Sequence, residues 1–308
     1  MSKKSYFGVN GVARNVKSWP FGVGGVARSV KCGYFGVSGV ARQFLSGVDP
    51  VLNNNDWATI RAVSDAGQGA NYWSVGDTKT ITINGEVGNF TFSNYTVDAF
   101  IIGFNHNSGK EGSNRIHFQI GKTTSGTDIA FCDSNYPNTG SSQGFRMNLS
   151  NTNSGGWNGS YGRNTLLGNS GTPNSPPANS FMAALPADLR AVMKPVTKYT
   201  DNTGGRSNTS DTVTATTDYL FFLAEFEVQG ARSYANQYEQ NYQAQYDYYK
   251  AGNSKVKYRH DDTGTAVYHW CRSAYYAGSN RFCSVYTGGS AGGDYAYSSS
   301  GLAPGFCV

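Results

Sequence analysis

The chain has 308 residues, of which 38% are hydrophobic and only 15% charged, with 39 glycines, 21 tyrosines and a formal net charge of +5. Its mean hydropathy is −0.46, and no run reaches the roughly 18 apolar residues that a membrane-spanning helix needs, which argues against membrane insertion. A balance rich in Gly and Tyr and poor in charge predicts strands and turns, and a basic start with no apolar stretch behind it predicts synthesis in the cytoplasm without a classical export signal.

Residues 1–44 hold a fourteen-residue repeat, "FGVNGVARNVK", "FGVGGVARSVK" and "FGVSGVARQF", starting at Phe7, Phe21 and Phe35. In each copy a short β-type run is interrupted by Asn10-Gly11, Gly24-Gly25 or Ser38-Gly39, which predicts three small hairpins. Hairpins this small cannot bury an apolar face alone, so they are expected to serve attachment or assembly. Seven of the 25 basic residues, from Lys3 to Arg42, precede the first acid, Asp49. They recur once or twice per repeat with no layout of stacking aromatics, so we read a solvated or partner-docking face and no nucleic-acid partner.

Residues 45–56, with Pro50 and a run of Asn, read as a linker, and 57–308 as one domain. Asp56 is placed to cap a helix over "WATIRAVSDAG", with Trp57, Ile60 and Val63 on one side. "TKTITING" and "GNFTFSN" predict a hairpin turning at Asn84-Gly85, followed by the strands "VDAFIIGF" and "RIHFQIG". "NSFMAALPADLRAVMKPV" predicts two helical pieces meeting at Pro186. "TATTDYLFFLAEFEV" reads as a buried strand, and "YANQYEQNYQAQYDYYK" as a helix with Tyr234, Tyr238, Tyr242 and Tyr246 in one packing stripe.

Motifs that carry chemistry are scarce. His106, His117, His260 and His269 lack metal-ligand spacing, and Asp261-Asp262 in "RHDDTGT" reads as a polar turn before it reads as a calcium ligand, so no metal and no cofactor are expected. No nucleophile elbow, phosphate loop or dinucleotide fingerprint is present. The five cysteines, Cys32, Cys132, Cys271, Cys283 and Cys307, are widely spaced and read as buried thiols.

The C-terminal tract is different. From Tyr258 to Val308 there is no Lys, Glu, Gln or Met, although all four occur up to Lys257. Codons ending in C cannot encode these residues or Trp, but readily give Tyr, Ser, Gly, Asp, His, Asn, Ala and Arg. Randomised AAC codons would leave this mark. Tyr with Gly, Ser and Asn is also the mixture of antibody paratopes, a large amphipathic contact surface with adaptable hydrogen bonding.

"VYHWCRSAYYAGSNRFCSVYTGGSAGGDYAYSSSGLAPGFCV" resembles the variable C-terminus of target proteins of diversity-generating retroelements, which typically carry "WWLRS" and end in "GLAPGFC". The chain matches at Trp270, Arg272, Ser273 and Gly301 to Cys307, and departs at His269 and Cys271. "GGWNGSYGRNTLLG" and "ALPADLRAVMKPVTKYT" resemble the same group, and the N-terminal repeat resembles the GVAR repeats of phage tail-associated proteins. The resemblance implies an α+β, C-type lectin-like fold in the branch related to formylglycine-generating enzymes, with small antiparallel sheets and two or more helices, preceded by the hairpins. The reactive Cys pair of those enzymes has no counterpart here, so ligand binding and not catalysis is implied.

The expected protein is a phage or prophage tail-tip receptor-binding protein on the virion, a homotrimer that joins other tail proteins and engages a host cell-surface receptor, protein or glycan. A bacterial cell-surface variable protein and a formylglycine-generating-type enzyme are the alternatives. Within a variable region of about 268–300, the expected exposed binding residues are His269, Tyr275, Ala277, Gly278, Ser279, Arg281, Ser284, Tyr286, Gly288, Ser290, Gly292, Asp294, Tyr295, Tyr297 and Ser298. Trp270, Phe282, Val285, Leu302 and Phe306 are expected to be scaffold.

Overall fold

A computed structural model of the chain describes the strand residues between 6 and 45, and residues 47–137 and 144–308. In the N-terminal region β1 (Tyr6–Val9) pairs with β2 (Val12–Asn15), β3 (Pro20–Val23) with β4 (Val26–Ser29), and β5 (Cys32–Val37) with β6 (Val40–Leu45), all antiparallel. The registers set Val9 opposite Val12, Val23 opposite Val26 and Val37 opposite Val40, as two-residue hairpins require. The turn dipeptides expected at Asn10-Gly11, Gly24-Gly25 and Ser38-Gly39, and the side chains of the basic face, lie outside the described residues.

The expected linker is tied to the domain from Asp49 onward. The Asn55 side chain donates to the carbonyls of Asp49 and Val51, the Trp73 indole donates to the Asp49 carbonyl, and the Lys79 ammonium reaches the Asn55 carbonyl at 2.6 Å. Helix α1 (Trp57–Asp65) then starts at Asp56, whose carboxylate accepts the Thr59 amide at 2.7 Å, and buries Trp57, Ile60 and Val63.

The domain is α+β. Its largest sheet is antiparallel, in the order β13-β19-β9-β8-β7, formed by β7 (Thr78–Val87), β8 (Phe90–Phe104), β9 (Ile116–Lys122), β13 (Leu220–Phe221) and β19 (Gly305–Cys307). The C-terminal "GFC" is therefore an inner strand. Its Phe306 stacks on Phe118 at 5.1 Å and meets Trp57 edge-on at 5.8 Å, closing the core between the first helix and the last strand. Two-stranded and three-stranded sheets surround it: β11 (Val196–Asp201) with β12 (Val213–Asp218), β10 (Ile129–Ala130) with β14 (Lys257–Arg259) and β15 (Ala266–Val267), and β16 (His269–Ala274) with β17 (Arg281–Val285) and β18 (Ala291–Tyr295).

Three local expectations need correction. The β7–β8 hairpin turns between Val87 and Phe90, and Asn84-Gly85 instead marks a register shift, with Gly85 at a φ of +129°. Continuing the strand past the bulge buries Val87, which a turn at Asn84 would have left outside. The two helical pieces expected to meet at Pro186 are present as single turns, Phe181–Ala184 capped by Ser180 and Ala187–Arg190 preceded by Pro186. The buried run after Thr214 is strand only to Phe221 and becomes a helical turn at Glu225–Gln229. The tyrosine-rich segment is no helix. Glu225 accepts the amides of Ser233, Tyr234 and Ala235, holding the chain in a path that leaves only a 3-10 turn at Glu239–Asn241 and a helical turn at Asp247–Lys250. Its tyrosines part company: Tyr234 stacks on Tyr275, Tyr242 on Tyr199, and Tyr246 is wholly buried.

Candidate functional site

Sheet β16–β17–β18 carries the predicted binding region, and its inner residues tie it to the core. Trp270, Phe282 and Val285 are buried, as expected of scaffold, and the Trp270 indole donates to the Phe145 carbonyl at 2.7 Å. Arg272, fully buried, donates from Nη2 to Glu227 at 2.8 Å, from Nε to Thr200 at 2.8 Å and from Nη1 to the Phe222 carbonyl at 3.0 Å. Beside it the Lys198 ammonium lies 2.6 Å from Glu111, 3.2 Å from Glu227 and 2.8 Å from the Tyr246 hydroxyl. Burial alone would raise the Glu227 carboxyl, but Arg272 and Lys198 outweigh it and hold Glu227 far below the usual carboxylate range.

The fold also gathers histidines that look scattered in sequence. His106 stacks on Tyr246 at 3.7 Å, and His117 Nδ1 lies 3.1 Å from the Tyr246 hydroxyl and 3.3 Å from Cys307 Sγ. His106, Glu111 and Glu227 offer ligand atoms within 4.8 Å of one another. The Lys198 ammonium already sits against both carboxylates and Arg272 balances the second charge, so this donor set is arranged around resident cations, and a divalent ion would meet their repulsion. Asp261 and Asp262 are spent locally, on Arg259 and on the Gly264 amide and Thr265 hydroxyl of an exposed turn. Cys132, Cys271, Cys283 and Cys307 are free and buried, and burial pushes the Cys132 and Cys307 thiols up to about 12 and the other two well above their ordinary value.

Above this base, the loop joining β16 to β17 is held through its main chain. Asn153, completely buried, donates from Nδ2 to the carbonyls of Gly278 and Arg281 at 2.8 Å and of Tyr275 at 3.3 Å, and its amide donates to the Ser279 carbonyl at 2.8 Å. Its Oδ1 accepts the Gly205 amide at 2.8 Å, which fixes the orientation of the carboxamide. None of the bonds to the loop involves a loop side chain. The Asn280 carbonyl accepts the Ala296 amide, and the Ala296 carbonyl accepts the Asn148 amide, continuing the main-chain anchorage to the turn after β18.

The expected binding residues separate by burial. Ala277, Ser279, Tyr286, Gly288 and Ser290 are exposed, while Tyr275, Gly278, Arg281, Asp294, Tyr295 and Tyr297 are half-buried. Rings covering rings account for much of the difference: Tyr275 stacks on Tyr234 at 5.5 Å, Tyr295 on Tyr297 at 6.0 Å, and the Arg281 guanidinium lies 4.5 Å from the Tyr295 centroid. His269, Ser284, Gly292 and Ser298 were expected to be exposed and are buried. Ser284 lies on the central strand, between Trp270 and Gly292. His269 is opposite Val285, and desolvation holds its imidazole well below the usual value. Gly292 lies under the Tyr286 ring, where a Cβ would collide with the ring carbons. Ser298 closes the turn after β18, its amide donating to the Tyr295 carbonyl.

Five of these residues, Arg281, Tyr286, Asp294, Tyr295 and Ser298, line one cavity of about 300 Å³ together with Pro137, Tyr268, Gly293 and Ser299. Burial pushes the Asp294 carboxyl up against the smaller opposing pull of the Tyr295 amide. The sequence did not single out Tyr268, Pro137 or Asn153. Tyr268 opens the predicted variable region without having been named among its binding residues, and Asn153 sits in a polar stretch, "NTNSGG", where nothing local sets it apart.

No curated protein and no solved structure matches the chain. Residues 139–308, which carry β16–β17–β18, Asn153, Arg272 and the cavity lining apart from Pro137, match the family model described as a domain of unknown function, DUF6273, and because this is more than half of its length the chain belongs to that family.

Proposed function

We propose that the chain is a receptor-binding protein whose β16–β17–β18 face is a diversified ligand-binding surface, carried by a C-type lectin-like domain at a phage or prophage tail tip. The observation that carries this reading is the anchorage of the 275–281 loop by Asn153 through carbonyl groups alone, beneath a face of half-exposed tyrosines. A binding surface whose side chains are rewritten must keep its backbone when they change, and bonds to carbonyl oxygens do not depend on which side chain the residue bears. The N-terminal hairpins serve attachment to other tail proteins and to sister chains in a homotrimer, in which several weak sites act together. The buried, protonated thiols support binding over thiol chemistry.

The experiment is attachment of the labelled chain to a panel of bacterial strains and to their isolated envelopes. The variant changing Tyr275, Tyr286, Tyr295 and Tyr297 together to Ser should lose attachment while staying folded by circular dichroism, since aromatic anchors carry most interface energy. Equal attachment by this variant sinks the reading. A near-identical template repeat beside a reverse-transcriptase gene would support diversification, and a mass measurement reads the trimer.

A further inference from the structure

The cavity on this face restricts the chemistry of its occupant. Tyr268 and Tyr286 stand nearly perpendicular, with centroids 5.1 Å apart at 81°, and form an aromatic corner. Tyr295 is a further wall, and the Arg281 guanidinium lies against its ring. Asp294 lines the same space, so one cation and one anion share a cavity of about 300 Å³, and no ion pair joins them among the described residues. A cationic ligand that reaches Asp294 meets Arg281, and an anionic one that reaches Arg281 meets the half-buried Asp294 carboxylate. A purely apolar ligand would desolvate both charges without replacing their hydrogen bonds. A ligand of no net charge that both donates and accepts satisfies the pair.

Such a ligand must also offer an apolar face to tyrosine rings and be small enough for this volume, at the lower end of ligand pockets. A pyranose ring combines these properties, with a C–H face to lie on an aromatic ring and a rim of hydroxyls that both donate and accept. We infer that the cavity binds a single neutral sugar unit, a hexose or N-acetylhexosamine at the end of a surface glycan. Tyr286 supplies the stacking face, Asp294 accepts and Arg281 donates. This rests on the receptor-binding reading and narrows the receptor to a glycan.

The test is saturation-transfer NMR on the full chain with neutral hexoses and N-acetylhexosamines, beside a uronic acid and a free hexosamine as charged counterparts. Transfer to the ring C–H protons of a neutral sugar is expected, weaker by about tenfold in Tyr286→Ala and in Asp294→Asn. Thermal unfolding of each variant checks that it is folded. No transfer from any neutral sugar overturns the inference, as does equal transfer to the charged counterparts or transfer unchanged in folded Tyr286→Ala. The two readings come apart in the attachment assay. Attachment to envelopes without sugar transfer, or undiminished by excess sugar, defeats the sugar and leaves the receptor reading standing. Sugar transfer without attachment to any envelope defeats the receptor reading.

Discussion

The two sides of sheet β16–β17–β18 are made under opposite constraints. On the inner side Trp270, Arg272 and Phe282 are buried, and Arg272 is bound to groups from three other segments, Thr200, Phe222 and Glu227. On the outer side Tyr275 stacks on Tyr234 and Tyr276, Tyr286 meets Tyr268 and Tyr295 stacks on Tyr297, all of them rings that keep part of their surface open to solvent. The inner side is intolerant because Arg272 has a single buried partner set, whereas the outer side can be rewritten so long as the main chain stays where Asn153 holds it. Gly292 and Ser284 were read as variable, yet one lies under a tyrosine ring and the other between two paired strands, so exchange there is coupled to the position of Tyr286 or to strand pairing.

The largest effect is expected for Arg272→Met. Removing one partner of a buried ionic cluster leaves Glu227 short of a counter-charge and should cost about 3–5 kcal/mol, read as a lowered urea midpoint. A midpoint within error of the parent would mean that the inner side is no more constrained than the outer.

Asn153→Ala comes next. It removes the side-chain donor to three carbonyls and should cost about 1–3 kcal/mol. Its distinctive sign is faster hydrogen exchange confined to the amides of 275–281, while the amides of β9 stay protected; uniform acceleration would refute the anchor.

The pH dependence sharpens the electrostatic half of the comparison. Burial holds His106 down to about 3, His117 and His269 well below the ordinary value and His260 below it, so the folded state binds fewer protons than the unfolded chain. Stability from these groups is present above the unfolded value of about 6.5 and is lost as pH falls below it. Glu239 works in the opposite sense. Burial pushes it up to about 7, so its contribution is present at low pH and lost as pH rises through that value. The melting temperature should fall on acidification below about pH 6.5, and Glu239→Gln should steepen the fall. A shallower fall in that variant would contradict the assignment.

The smallest stability effect is expected for Tyr286→Ser, under about 1 kcal/mol for a residue at the surface, with a large loss of attachment. A large stability loss would move Tyr286 from the ligand face to the scaffold.

What was legible in the sequence follows the range of the interactions involved. The cap at Asp56, the hairpin pairing of the repeats and the scaffold roles of Trp270, Phe282, Val285, Leu302 and Phe306 follow from near neighbours and from large apolar side chains that have few places to go. The tyrosine segment misled because a period of four suits a helix, while the amides of Ser233 to Ala235 are claimed by Glu225 from a different part of the chain. The Asn84-Gly85 signal was real, but the burial of Val87 converted a turn into a bulge.

Composition and short-range pattern were enough for the predominance of strands and turns, the position of the Tyr- and Gly-rich tract and the apolar residues that carry it, because they encode propensity and hydrophobic burial, while the class of the fold came from the family resemblance. Only the tertiary structure decided which of those residues face outward, that Asn153 holds their backbone, that His106 and His117 meet around Tyr246, and that Arg281 and Asp294 share a cavity walled by Tyr268 and Tyr286. Each of these depends on hydrogen bonds, charges and ring contacts between segments far apart in the chain, whose directional geometry no local pattern of residue types specifies.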